Sequence, residues 1–326
     1  MRAVVITEPG GPAVLRLRDV PDPEPGPGEI RVRVEAAGVN RADVFQRQGH
    51  YGAPPGWPDD IPGLEYAGVV DAVGENVAVW APGDRVMGLV GGGGYAEYVV
   101  VQADEAIAIP DALTPTEAAA IPEVFITAHD ALRARLGVRA GETLLIHAVG
   151  SGVGTAALQL AQAWGATVFG TSRSDWKLER ARDLGLDMAI DASREDFADT
   201  VLAATAGRGC HAILDLVGGA YLEGDVRCLG GLGRVVVVGL TAGRRAELDL
   251  GALLRKRITI RGTVLRNRAP VEKAAAARLF AEDVVPLLTH GRVRPVIHEV
   301  MPMEEVGRAH ELLESNQTFG KVVLNW

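Results

Sequence analysis

LLIHAVGSGVGTAALQLAQAWG, residues 144–165, is the stretch on which the reading of the fold turns. An apolar run of strand length ends near His147, and Gly150, Ser151, Gly152, Val153 and Gly154 then lead straight into a segment of helical periodicity. Glycines let backbone N–H groups approach a pyrophosphate closely, and a new helix points its positive end at the same place. Strand, glycine turn and helix in that order make a dinucleotide site, although the spacing G-S-G-V-G departs from GxGxxG. The alternative reading is a helix start that only packs tightly on its strand.

The flanking sequence repeats the same alternation. ETLLIHAV, TVFGTS, DMAID, AILDLV, RVVVVGL and ITIRGTV read as strands. GTAALQLAQAWG and DWKLERARDLG read as helices among the first five strands, and LDLGALLRKR reads as one before the sixth. Strands alternating with helices imply a parallel sheet covered on both faces, here an α/β, Rossmann-type doubly wound sheet. Residues 1–123 have a different grammar. PDPEPGPGE (21–29) cannot hold a helix, because proline removes donors and fixes φ. EIRVRVEAAGV alternates with period two, and YAGVVDAVG, DRVMGLV and YAEYVVVQADEAIAIP read as further strands. That half is β-rich. The expected division is 1–123, then a dinucleotide-binding domain at 124–264, then 265–326, which carries one long helix (APVEKAAAARLFAEDVVPLL) and returns to the first domain.

A chain of 326 residues with 48% hydrophobic content and 40 Gly fits a globular protein of about two domains. A net charge of −9 repels phosphate backbones and argues against nucleic acid. The one basic cluster, Arg255, Lys256, Arg257 and Arg261, reads as a solvated helix-to-strand connection. No apolar run reaches transmembrane length, and MRAVVITEPGGP lacks a signal-peptide core. Cys210 and Cys228 form no CxxC pair, so a reducing, cytoplasmic setting is expected. The seven histidines fall in no HxxxH or HExxH pair.

The end of the next strand selects the dinucleotide. An NAD site places an acid there to accept from the ribose 2′-OH. Here the chain reads GTSRSDWK (170–177), and Asp175 reads instead as a first-turn helix residue. Lys177 in that same turn is electrostatically misplaced unless an anion lies nearby. A 2′-phosphate beside Ser172, Arg173 and Lys177 is that anion, which favours NADPH.

NRADVFQRQGHY (40–51), PGLEYAGVV (62–70), PGDRVMG (82–88), YAEYVVV (95–101), AAAIPEVFITAHDAL (118–132), the glycine-loop stretch and FGKVVLNW occur in one order from end to end. Together they resemble a medium-chain dehydrogenase/reductase, and more narrowly the zinc-free, zeta-crystallin-like NADPH:quinone oxidoreductases. The resemblance implies a GroES-like β-rich catalytic domain built from both chain ends. It also implies metal-free reduction of a small-molecule quinone or conjugated carbonyl, and a homodimer joined through the edge strand ITIRGTV.

In zinc-dependent relatives a Cys stands where this sequence has Asn40 and a His where it has Leu64, and a four-cysteine lobe is missing here; Asn and Leu replace neither thiolate nor imidazole on zinc. No metal ligand is therefore expected. Ser151 stands where this branch often has the central glycine of its loop, and Ala192 where some relatives have a Tyr on the 2′-phosphate.

By the same resemblance Asn40 and Tyr51 lie near nicotinamide and substrate. Thr127, Gly239, Leu240, Val264, Leu265 and Lys321 contact the cofactor. Each has a plainer reading: Asn40 capping a short helix, Tyr51 closing over a prolyl turn, Lys321 beside the last strand. Two rivals share the motifs: an NADPH-dependent 2-alkenal or enoyl reductase, and a non-catalytic, crystallin-like NADPH-binding protein.

Overall fold

In a computed structural model describing residues 1–326, the chain forms two compact units. One comprises Met1–Ile126 and Leu265–Trp326, the other Thr127–Val264.

The second unit is a six-stranded, all-parallel sheet. Its strands, in chain order Thr143–Ile146, Thr167–Ser172, Met188–Asp191, Cys210–Asp215, Leu229–Val237 and Thr259–Gly262, lie in the spatial order 3-2-1-4-5-6. That is the doubly wound order with its switch point between the first and fourth strands. Leu144, Leu145, Ile146, Val168, Ile213, Leu214, Val235 and Val236 are all inaccessible to solvent. A strand buried on both faces must be apolar throughout, and this is why these runs lack alternation.

The first unit is built around the long strand Glu29–Val39. One edge pairs with Glu65–Val73, which passes the ladder to Arg85–Leu89 and Ile107–Ala108. The other edge pairs with Tyr98–Gln102 near its start and with the C-terminal strand Lys321–Asn325 at its end. Ile297–Pro302 completes the sheet beside the C-terminal strand. The stretch read as one strand at 95–110 is thus two, separated by a turn at 103–105.

The helix expected over 269–288 is also two, Pro270–Asp283 and Val285–Thr289. Pro286 has no N–H for the ladder and its ring crowds the preceding turn, so the first helix stops before it. Residues 122–135, unassigned from sequence, carry two π-helical turns, Pro122–Ile126 and Asp130–Arg135, around Thr127–His129. No helix is long and apolar enough to cross a membrane.

Candidate active site

In the second unit the helix Gly152–Ala163 begins earlier than the sequence suggests. Ser151 is its N-cap, accepting from the Gly154 N–H at 3.1 Å, so Gly152, Val153 and Gly154 form the first helical turn and only Gly150 and Ser151 remain loop. A Cβ on Gly154 would stand 2.5 Å from the Ala148 carbonyl oxygen and 2.6 Å from that of Val149. Only glycine permits the helix to seat this closely over its strand, which brings the helix N-terminus up to the strand end. Ala148 has φ of 50°, a left-handed conformation costly for alanine, directly where the chain leaves the strand. Positive helix end, close-packed glycine and switch-point position together fit a dinucleotide pyrophosphate.

At the end of the next strand Ser172 is half-buried and its Oγ accepts from the Ser174 N–H at 3.2 Å. Arg173 is exposed, and Lys177, in the first turn of Asp175–Asp183, lies 5.4 Å from the centre of the Trp176 ring. Asp175 is engaged by Arg194 at 2.9 Å, as a helix-start carboxylate on the surface. Gly239 and Leu240 follow the fifth strand; a Cβ at Gly239 would meet the Leu216 carbonyl at 2.2 Å. Thr127 is buried, while Leu240 and Val264 are about half exposed.

In the first unit Asn40, Glu65 and Lys321 share one buried network. Lys321, 3% exposed, donates to the Val39 carbonyl at 2.9 Å, to Asn40 Oδ1 at 2.6 Å and to Glu65 Oε1 at 2.6 Å. Three acceptors thus take its three protons. Glu65 Oε1 also accepts from Asn40 Nδ2 at 2.8 Å, and Oε2 accepts from the Glu123 N–H at 2.8 Å. Gly38 makes this possible, since a Cβ there would lie 2.2 Å from Glu65 Oε1. Asn40 is the N-cap residue of the short helix Arg41–Arg47, where Asp43 Oδ2 accepts from the Asn40 N–H and from the Tyr95 hydroxyl. Burial pushes the Asp43 carboxyl up to about 6. Leu64, beside Glu65, is 1% exposed and packs as core. No group of three or more His, Cys, Asp or Glu side chains is arranged to hold a metal ion.

Tyr51 is half-buried and its hydroxyl makes no hydrogen bond within the protein. Burial raises its pKa, so the phenol stays a donor. It is held by a residue that sequence reading missed. Arg266, buried, donates to the carbonyls of Gly91 (2.9 and 2.7 Å) and Tyr51 (3.2 Å) and to Gln46 Oε1 (2.6 Å). Its guanidinium lies 4.8 Å from the centre of the Tyr51 ring. None of these partners is charged, and desolvation lowers the Arg266 pKa. Glu123 was missed as well. Its carboxyl accepts no hydrogen bond, and burial, with the nearby Glu65 charge, pushes it up to about 8.

These features define a two-domain, dinucleotide-dependent oxidoreductase. The zinc-binding dehydrogenase family matches residues 152–282 and the alcohol dehydrogenase GroES-like domain matches 26–111. A quinone oxidoreductase of Pseudomonas aeruginosa is 36% identical, over 97% of this chain and 96% of its own. Among solved structures, an NAD-dependent alcohol dehydrogenase superposes with a TM-score of 0.87 at 35% identity, covering all of both chains. A mycobacterial protein complexed with NADPH does so with a TM-score of 0.89 at 29% identity, again over all of both. The chain belongs to the medium-chain dehydrogenase/reductase superfamily, on its quinone oxidoreductase branch.

Proposed function

We propose that the protein is an NADPH:quinone oxidoreductase that works without a metal. The observation that carries this reading is the Asn40–Glu65–Lys321 network. At the positions where zinc-dependent relatives place ligands, this chain has a neutral amide and a buried leucine, and the neighbouring carboxylate is neutralised by an ammonium. Bound NADPH supplies a hydride to the acceptor; the protein supplies position and electrostatics.

The cofactor's phosphates are assigned to Gly150, Ser151, Gly152, Val153 and Gly154, and its 2′-phosphate to Ser172, Arg173 and Lys177. Thr127, Gly239, Leu240, Val264 and Leu265 complete its contacts. A quinone or conjugated carbonyl spreads the developing oxyanion over its π system and needs little Lewis-acid help. Tyr51, with an unpaired hydroxyl held by Arg266, donates to that oxygen, and Asn40 does so by exchanging its 3.3 Å bond to the Gly38 carbonyl. Each contributes at most a few kcal/mol, in the range of about 2.7–4 kcal/mol seen for oxyanion donors. Lys321 acts through Asn40 and Glu65, since its three protons go to them and to the Val39 carbonyl.

The P. aeruginosa relative named quinone oxidoreductase supports this substrate class. Steady-state NADPH oxidation against ortho-quinones, para-quinones, 2-alkenals and enoyl thioesters tests it. Quinones should give the highest kcat/KM; a preference for enoyl thioesters would move the protein to the enoyl reductases. We also propose a homodimer. The strand Thr259–Gly262 is at the sheet edge, and the preceding helix Leu250–Lys256 leaves Leu250 and Leu254 exposed one turn apart. Sedimentation should give twice the chain mass, and a single species at the chain mass of 34.4 kDa would refute the dimer.

A further inference from the structure

Three Lys or Arg side chains are buried in the protein, all in the first unit, and two of them have a carboxylate. Arg47 meets Glu314 at 2.8 Å and Lys321 meets Glu65 at 2.6 Å. Arg266, 7% exposed, forms no ion pair; its partners are the Gly91 and Tyr51 carbonyls and the Gln46 amide oxygen. These take four of its five N–H groups: Nε–H, both on Nη2 and one on Nη1. The second Nη1 N–H bonds nothing within the protein. Asp43, Glu123 and Asp59 act on the guanidinium only from beyond ion-pair reach. A buried cation offset by dipoles alone is costly to keep. It lies 4.8 Å from the centre of the Tyr51 ring, whose hydroxyl also makes no hydrogen bond within the protein. Two unspent donors, one of them charged, thus share one corner of the unit.

We infer that Arg266 and Tyr51 form a site for one anionic oxygen, a phenolate or an enolate, and that in turnover this is the oxygen left charged on the acceptor. The second clause rests on the reductase reading above. A hydride adds two electrons and one proton to the acceptor, which leaves one negative charge on its oxygen. The Tyr51 O–H donates to that oxygen and the Arg266 charge balances it until a proton from water completes the product, so neither side chain gives up a proton. The positive charge that a metal ion brings to such an oxygen is here a guanidinium, fixed in place before the reaction by Gly91, Tyr51 and Gln46. An acceptor that keeps its charge mainly on one oxygen, such as a 2-alkenal, depends on Arg266 more than a quinone, which spreads the charge over its ring. An arginine that only tied the loops at Tyr51 and Gly91 together would act on every acceptor alike.

Two readouts test the inference on the full-length protein. Titrated with 4-nitrophenol, whose anion absorbs in the visible, the unmodified protein should bind the anion about 10–10³-fold more tightly than the neutral phenol, with or without NADP⁺. Arg266→Met should lose that preference, and Arg266→Lys, which keeps the charge, should retain part of it. In steady-state turnover with NADPH, Arg266→Met should lower kcat/KM about 10²–10³-fold for a 2-alkenal and less for a para-quinone. Equal binding of the two forms of the phenol by the unmodified protein, or binding of neither, overturns the proposal whether or not any variant folds. So does an Arg266→Met protein that keeps the anion preference, or that loses the same factor with both acceptors. If the unmodified protein reduces no acceptor, the reductase reading fails, while the phenolate preference still decides the oxyanion site.

Discussion

Replacing Lys321 with Met removes the only cation bonded to Glu65 and leaves a fully buried carboxylate with the Asn40 amide and the Glu123 N–H as its remaining donors. Breaking a buried pair from one side costs about 3–5 kcal/mol, most of it the stranded charge. For a unit of this size that lowers Tm by roughly 2–4 °C per kcal/mol, or about 6–20 °C. Glu65→Gln strands the ammonium instead and should cost a similar amount. The double variant strands no charge, although it leaves the Glu123 N–H, the Val39 carbonyl and Asn40 Oδ1 without these partners. Its Gln still accepts from Asn40 and the Met fills the lysine's stem, so it should be more stable than either single variant. Independent effects would instead make it the least stable, at about 6–10 kcal/mol. Urea denaturation of the four proteins at one pH decides. A double variant as unstable as the sum, or a Lys321→Met loss under about 1 kcal/mol, would refute the view that the lysine balances Glu65.

Gly154→Ala must push the first helix off the Ala148 and Val149 carbonyls, 2.5 and 2.6 Å from the new methyl; it should destabilise by about 1–3 kcal/mol and weaken dinucleotide binding by ~10-fold or more, measured by calorimetry. Lys177→Ala should narrow the gap between NADPH and NADH affinity by about 1–3 kcal/mol, read by fluorescence titration; equal affinities in the parent would refute a 2′-phosphate site. Glu123 is raised from 4.5 to about 8, so the folded protein keeps a proton that the unfolded chain releases. That contribution is complete below about 4.5 and lost as pH rises to about 8, and Glu123→Gln should remove this part of the pH slope in thermal unfolding.

The parallel sheet was legible because strands buried on both faces must be continuous apolar runs, and the segments at 144–146 and 235–236 are such runs. Gly154 was legible because a fixed local spacing needs it. The corner formed by Asn40, Glu65 and Lys321 was not. Lys321 and Glu65 lie 256 positions apart and meet only because the last strand pairs with the end of Glu29–Val39. Arg266 is one arginine after an edge strand, and the carbonyls it binds belong to loops at Tyr51 and Gly91 that carry no signal for it. Glu123 sits in π-helical turns, whose period matches neither pattern used to find helices and strands. The break at Pro286 is present in the sequence, but apolar residues continue through it and mask it.

Metal-free reduction of quinones by NADPH stands or falls with the rate of NADPH oxidation with a para-quinone before and after exhaustive chelation, with metal content determined on the same sample. Turnover should be unchanged by the chelator, metal should be substoichiometric, and the rate with NADH should be slower. Stoichiometric zinc that leaves together with turnover, and restores it when added back, would show a metal-dependent enzyme instead.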